Sequence, residues 1–396
     1  MRPERIHPAL LSRRELLRRM GAAGLLAAGS GSLLAACGGV EGTNEGSGSG
    51  ERPQAGQADH AKKAFATLTV SNWPLYIDKG QIKDFDRRFD TKVRYIEDIN
   101  DNEEFFAKVR QELESDRPIG RDLVVITDWM AGRWIDQGFA EPLDMANVPN
   151  ARNVVDTLKS PPFDPQRSYS LPWQSGMSAI GYDPERTGRR LTGVRDLFDP
   201  KFKGRVSMLS DWRDSAGLVL LSQGKDTKDA TKDDYLAAIE TIDEQNRKGQ
   251  IRRFTGNDYA KDLASGDLWA CLAYSGDVVQ LKADNPRLEF LVPDEGALLW
   301  SDNMVIPTGA DEPYGAEEWM NYFLDPENAA KLAAEVNYVT PVKGAKEVIA
   351  RTDPKLASND LIFPSDETLA KLHPYPALSA ADEREVTAEM QKVAGA

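Results

Sequence analysis

Asp122-Leu123-Val124-Val125-Ile126-Thr127 runs directly into Asp128-Trp129 and a stretch that ends near Gly138. The apolar core of this hexapeptide shows no alternation, the pattern of a short strand covered on both faces of a parallel sheet. Residues 129–137 then read as a helix. A buried strand handing over to a helix is the repeating unit of an α/β lobe. The alternation extends outward from here. Residues 66–71 alternate as a first strand. Residues 78–89 carry Ile82, Phe85 and Phe89 at helical spacing, 91–96 return to strand, and 102–115 place Phe105, Val109 and Leu113 on one helical face. Further on, 206–210, 268–274 and 288–292 read as strands and 233–248 as a helix. Asp325-Pro326 opens a helix to about Val336, a cap followed by Pro at the first helical position. Between the two sets, residues 169–182 are extended and mostly uncharged, a crossing between lobes, and 303–307 read as the return crossing. No internal repeat is present.

With 396 residues and 41% hydrophobic composition, the chain is long enough for two or three domains and a sizeable core. Its formal net charge of -14 argues against nucleic acid, which favours basic surfaces, and is compatible with cationic ligands. Catalytic and metal signals are few. The three histidines are His7, His60 and His373, with no HExxH, CxxC or paired-His motif, and no Gly-rich phosphate loop follows a strand. No metal or cofactor is expected. Asp and Glu are abundant but no spacing singles out a pair, so a secreted carboxylate-dependent hydrolase remains as an alternative from a different class.

The first residues read as a targeting segment. Ser12-Arg13-Arg14-Glu15-Leu16-Leu17 is a twin-arginine pattern, and the Ala/Gly-rich run 20–36 is too short and too small-sided for a membrane span. Leu34-Ala35-Ala36-Cys37 resembles a lipobox, with cleavage before a lipidated Cys37. Removal of residues 1–36 takes away six Arg and two Glu and leaves a charge of -18. The Gly/Ser/Glu-rich residues that follow read as a flexible tether through residue 65. A lipid on Cys37 would hold the folded part on the outer side of a membrane. The only other cysteine, Cys271, is expected to be a buried spectator.

Binding has the stronger signal. In Gly296-Ala-Leu-Leu-Trp300-Ser-Asp302-Asn-Met-Val-Ile-Pro307, Trp300 and Asp302 point to the same side if the run is extended. An aromatic face beside a carboxylate is a simple receptor for an organic cation. A core Trp beside a turn Asp accounts for this pair taken alone, but the chemistry recurs. Trp73 and Tyr76 follow the first predicted strand, Trp129 follows the Thr127 strand, and Tyr274 ends another. Ligands of open α/β sheets bind beyond the carboxyl ends of strands, where these aromatics would converge.

The ordered set Ser71-Asn-Trp-Pro-Leu-Tyr76, Asp122–Thr127, Pro162-Phe-Asp-Pro165, Tyr169-Ser-Leu-Pro172, Phe202-Lys-Gly-Arg-Val206, Leu299-Trp-Ser-Asp302 and Tyr338-Val-Thr-Pro341 resembles the substrate-binding proteins of spermidine/putrescine ABC transporters, within the type II periplasmic-binding-protein class. The resemblance covers roughly residues 68–378. It implies two α/β lobes joined by hinge crossings, with 66–174 plus 303–341 forming lobe 1 and 175–302 plus 342–396 forming lobe 2. It implies a monomeric, extracytoplasmic receptor without enzymatic activity that delivers a polyamine to ABC permease subunits. By motif, the ligand contacts are Trp73, Tyr76, Thr127, Trp129, Tyr274, Trp300, Asp302 and Tyr338. Asp302 binds an ammonium and the aromatics hold the methylene chain. Two positions depart from the pattern. The acid sometimes found between the first Trp and Tyr is Leu75. The acidic loop of the second lobe reads Asp211-Trp-Arg-Asp214, with Asp214 matched to the family carboxylate after Arg and Asp211 the weaker candidate; capping of a helix at 215–221 is the alternative role for either. The late polar contact has no match, with His373 nearby. Within the same fold, a receptor for a sugar or another organic cation is the alternative.

Overall fold

The computed structural model describes residues 58–376 and 378–395. The twin-arginine segment, Cys37 and the tether as far as residue 57 lie outside the described residues. Within them, the chain is a mixed α/β structure on a ten-stranded sheet of order β2-β1-β3-β9-β4-β7-β5-β6, with β8 (Glu289–Leu291) beside β4 and β10 (Leu372–Pro374) beside β9. One half is parallel: β1 (Thr67–Asn72) lies between β2 (Lys92–Glu97) and β3 (Leu123–Thr127). The other is parallel too, with β5 (Val206–Leu209) between β6 (Ile251–Thr255) and β7 (Ala270–Tyr274). All five residues of β3 are buried, as its unbroken apolar run predicts.

The halves are tied by an antiparallel pair, β4 (Ser170–Tyr182) and β9 (Ala297–Val305). Each is split between the halves. Residues 302–305 of β9 pair with β3, while 178–182 of β4 pair with β7. The crossings are therefore one long ribbon, and the return crossing begins at Ala297 rather than at residue 303. Register shifts between Pro172 and Ser175. Pro172 has no N–H for the ladder, which suits a bulge. Beyond it, Ser175 exchanges both backbone hydrogen bonds with Val339, at 2.8 Å each.

Two hydrophobic cores follow this division. Trp134, Trp173 and Trp319 belong to the first, and Phe202, Tyr235 and Tyr259 to the second. Two expected boundaries differ. Residues 342–396 do not go together to the second lobe: Ala345, Ile349, Ala357 and Ile362 fill the first core, whereas Val386 and Met390 join the second, with Leu378 and Val393 packed against it. The helix Ala345–Thr352 packs on the helix Pro326–Val336, whose inner face is apolar, whereas Ala380–Ala394 packs on Lys232–Arg247. The folded part also starts before residue 66. Phe65 is buried in the first core, and His60 Nδ1 lies 2.6 Å from the buried Glu317 carboxylate.

Candidate functional site

The carboxyl ends of the strands meet at a slot between the two cores, about 390 Å³ with its open mouth included. The β9 alternation puts Trp300 and Asp302 in it side by side, both buried. Four rings follow one another along the slot. The Tyr76 and Tyr338 centroids are 4.8 Å apart, Tyr338 and Trp300 5.6 Å, and Trp300 and Tyr274 5.5 Å. Trp300 is fixed by its Nε1, which donates to Ser178 Oγ at 3.0 Å. Two glycines make room for the rings. A Cβ on Gly176 would fall 2.5 Å from Trp300 Cζ2, and one on Gly276 2.3 Å from Tyr338 Cδ2. Pro74 and Trp73 complete the Tyr76 side. Leu75, between Pro74 and Tyr76, is left-handed, at φ 58°, and exposed, outside the slot.

A carboxylate stands at each end of the rings. At one end Thr127, paired with Asp302 in the β3–β9 ladder, donates from Oγ1 to Asp302 Oδ1 at 2.8 Å and accepts from Asn102 Nδ2 at 2.9 Å. Thr127 stands at the N-cap of the helix Asp128–Asp136, yet its side chain makes no capping bond. Its hydroxyl is given to Asp302, and the helix forgoes a contribution of about 1 kcal/mol. Burial pushes the Asp302 carboxyl up to about 7, against the Thr127 and Tyr76 hydroxyls, which pull it down.

At the other end Asp214 accepts from Tyr375 Oη at 2.7 Å and from Tyr274 Oη at 3.4 Å. Its carboxyl is raised, first by burial and then by the charge of Asp211. The two aspartates divide the roles. Asp211 is the N-cap of the helix Trp212–Ser222, accepting from the Arg213 backbone N–H at 2.9 Å. Asp214, one turn in, faces the rings. Both line the slot.

Eight of the nine sequence candidates are brought together here: Trp73, Tyr76, Thr127, Asp214, Tyr274, Trp300, Asp302 and Tyr338. Trp129 is not among the lining residues. Its face is covered by the Arg213 guanidinium, 3.6 Å from the ring centroid. His373 is also outside the slot, against Asp226 at 3.0 Å, and Tyr375 takes the late position instead. Tyr375 follows the short β10 (Leu372–Pro374), so it obeys the same rule of an aromatic after a strand end. Asn102, Asn257 and Asp277 carry no such signal. Asp277 lies behind the rings, accepting from Tyr338 Oη at 2.6 Å, Tyr259 Oη at 2.8 Å and Asn257 Nδ2 at 3.0 Å.

Residues 80–363 match the family model of the bacterial extracellular solute-binding proteins. The chain belongs to that family. This solute-binding protein is 24% identical over 306 residues to the spermidine/putrescine-binding periplasmic protein of Salmonella typhimurium, covering 77% of this chain and 85% of the relative. It is 27% identical over 343 residues to the putrescine/cadaverine-binding protein of Pseudomonas aeruginosa, covering 83% and 93%. Among solved structures, a putative spermidine/putrescine ABC transporter from Listeria monocytogenes superposes with a TM-score of 0.74 at 27% identity, over 83% of this chain and 99% of that one. The two-lobed periplasmic-binding-protein fold read from the sequence is thus the fold of the chain.

Proposed function

We propose that this protein is a lipid-anchored extracytoplasmic receptor that captures a linear polyamine between its lobes and delivers it unchanged to an ABC permease. The observation that carries the reading is the run of four rings with Asp302 at one end and Asp214 at the other. Protonated polyamines are apolar methylene chains with ammonium groups at intervals. A buried ammonium needs a counter-charge or acceptors, which the two carboxylates supply. The rings cover the methylenes, and a ring face beside an ammonium adds about 0.5–2 kcal/mol. A micromolar ligand requires about -8 kcal/mol, within reach of two ion pairs and an aromatic box after binding costs. The lining carries three carboxylates, Asp211, Asp214 and Asp302, and no Lys or Arg among its residues, a charge balance that suits a polycation better than a neutral sugar. The names of the Salmonella and Pseudomonas relatives point to the same ligand class.

Calorimetry against putrescine, cadaverine, spermidine and spermine tests the reading. Saturable binding of at least one at micromolar concentration, with the ligand recovered unaltered, is expected. No binding of any below millimolar concentration removes it.

A further inference from the structure

Trp129 satisfies every sequence criterion for a ligand contact and still lies outside the slot. What covers it is a cation from the opposite lobe. Arg213 is 1% exposed, and its guanidinium carbon lies 4.4 Å from the centroid of its neighbour Trp212 and 3.6 Å from that of Trp129. Trp212 belongs to the second core, whereas Trp129 packs on the first. The charge is already balanced within its own lobe, with Nη1 3.4 Å from Asp211 Oδ1 and Nη2 3.1 Å from Glu383 Oε1. The first lobe offers it an aromatic face in direct contact, with the Glu103 and Asp128 carboxylates near enough to act on its charge. A desolvated guanidinium stacked on indole is a strong form of this contact, because its plane matches the ring and it is weakly hydrated. Other bonds cross at the same edge: Ser210 Oγ donates to Asp101 Oδ2 at 2.5 Å, and the Asn257 N–H donates to the Asn100 carbonyl at 3.2 Å. Trp129 also carries Arg133 of its own helix at 5.0 Å, a contact that does not depend on the second lobe.

We propose that Arg213 and Trp129 form a closing contact between the lobes, so that both strengthen ligand binding without touching the ligand. The inference rests on the polyamine-receptor reading. When the lobes part, Arg213 keeps its acids but loses one ring, so the closed form is favoured whatever polyamine it holds.

The test is a double-mutant cycle read by calorimetry and by ligand dissociation rate, with putrescine and spermidine as probes. Arg213→Lys keeps the charge and removes the stacking plane, and Trp129→Leu removes the ring. Each is expected to weaken both ligands by the same factor, about tenfold, mainly through faster dissociation, and the double variant to weaken them little further. Trp129→Tyr should recover most of the loss. Multiplying losses of about a hundredfold in the double variant would overturn the inference. So would a changed putrescine-to-spermidine ratio in Trp129→Leu, which would put Trp129 on the ligand. If Arg213→Lys fails to fold, the Trp129 series decides: equal losses with recovery in Tyr, at an unchanged ligand-free melting temperature, support the contact, and a loss confined to one ligand overturns it. A wild type that binds neither probe overturns the receptor reading and this inference with it; a wild type that binds, with additive variants, overturns this inference alone.

Discussion

A carboxyl held near neutrality can sense an ammonium, and under the proposed function Asp302 would do so. Burial raises it to about 7, so the empty slot avoids a bare buried charge. An arriving ammonium favours the carboxylate and displaces the proton. Two opposite pH slopes follow. Folding takes up a proton at Asp302 between the unfolded value near 4 and about 7. This stabilisation is full below the unfolded value and lost as pH rises through the folded one. The melting temperature of the empty protein should therefore fall from pH 4 to 7 on this account, while polyamine affinity rises over the upper part of that range. Asp277, raised to about 6 by burial, adds to the first slope. Asp302→Asn keeps the shape and removes the counter-charge. It should cost about 2–5 kcal/mol of binding and flatten both slopes. Affinity within threefold of wild type, measured by calorimetry, would be the wrong outcome. So would an affinity that is unchanged from pH 5 to 8 in the wild type.

At the level of elements, the helix Trp212–Ser222 shows where sequence reading stops. Its start was legible as acidic, but not which aspartate capped it. The answer depends on Tyr274 and Tyr375, which reach Asp214 from distant parts of the chain. Trp129 is the converse case: the strand-end rule that places Trp73, Tyr76 and Tyr274 in the slot applies equally to it. Only the arrival of Arg213 from the other lobe takes it out, and no local pattern reports that. The buried run of β3 and the alternation of β9 were readable because periodicity is local. The allocation of residues 345–362 to the first core was not, since it is settled by packing against the helix Pro326–Val336. The division of labour at this helix is testable. Asp214→Asn should change the putrescine-to-spermidine affinity ratio by more than about tenfold, a differential of roughly 1.4 kcal/mol, with little change in empty-state melting temperature. Asp211→Ala loses the cap and the Arg213 partner, and should cost at least the roughly 1 kcal/mol of stability of a cap, read as a lower melting temperature. The reverse pattern in calorimetry and thermal melts would exchange the two assignments. Within the ribbon, Gly176→Ala would drive a methyl into Trp300. It should weaken every polyamine by displacing the ring, without changing their order.

For the molecule as a whole, the consequence of one sheet shared by two cores is that motion between lobes has few places to occur. The ribbon passes from one core to the other where β4 shifts register between Pro172 and Ser175, opposite residues 301–303 of β9. The Ser175–Val339 pair crosses at the same level. Bending there leaves both parallel half-sheets intact, because their ladders lie on either side of it. Short paired linkers of this kind permit a hinge. Opening must separate Tyr338 from Asp277, Arg213 from Trp129, and Gln280 Nε2 from the Leu75 carbonyl, a bond of 3.1 Å. Tyr338 and Trp129 pack with the first core and Leu75 follows β1, whereas Asp277, Gln280 and Arg213 stand on the helices Ser275–Leu281 and Trp212–Ser222 of the second. In the proposed binding mode, a polyamine lying against Asp302 on one side and Asp214 on the other would restore the balance towards closure through its own contacts. Solution scattering should therefore show a smaller radius of gyration with saturating polyamine than without. Asp214→Asn, which removes the second-lobe anchor, should require more ligand to reach the same closed radius. Identical curves for the empty and saturated wild type would place the ligand in a rigid slot, and the register shift of β4 would then be a feature of packing rather than a hinge.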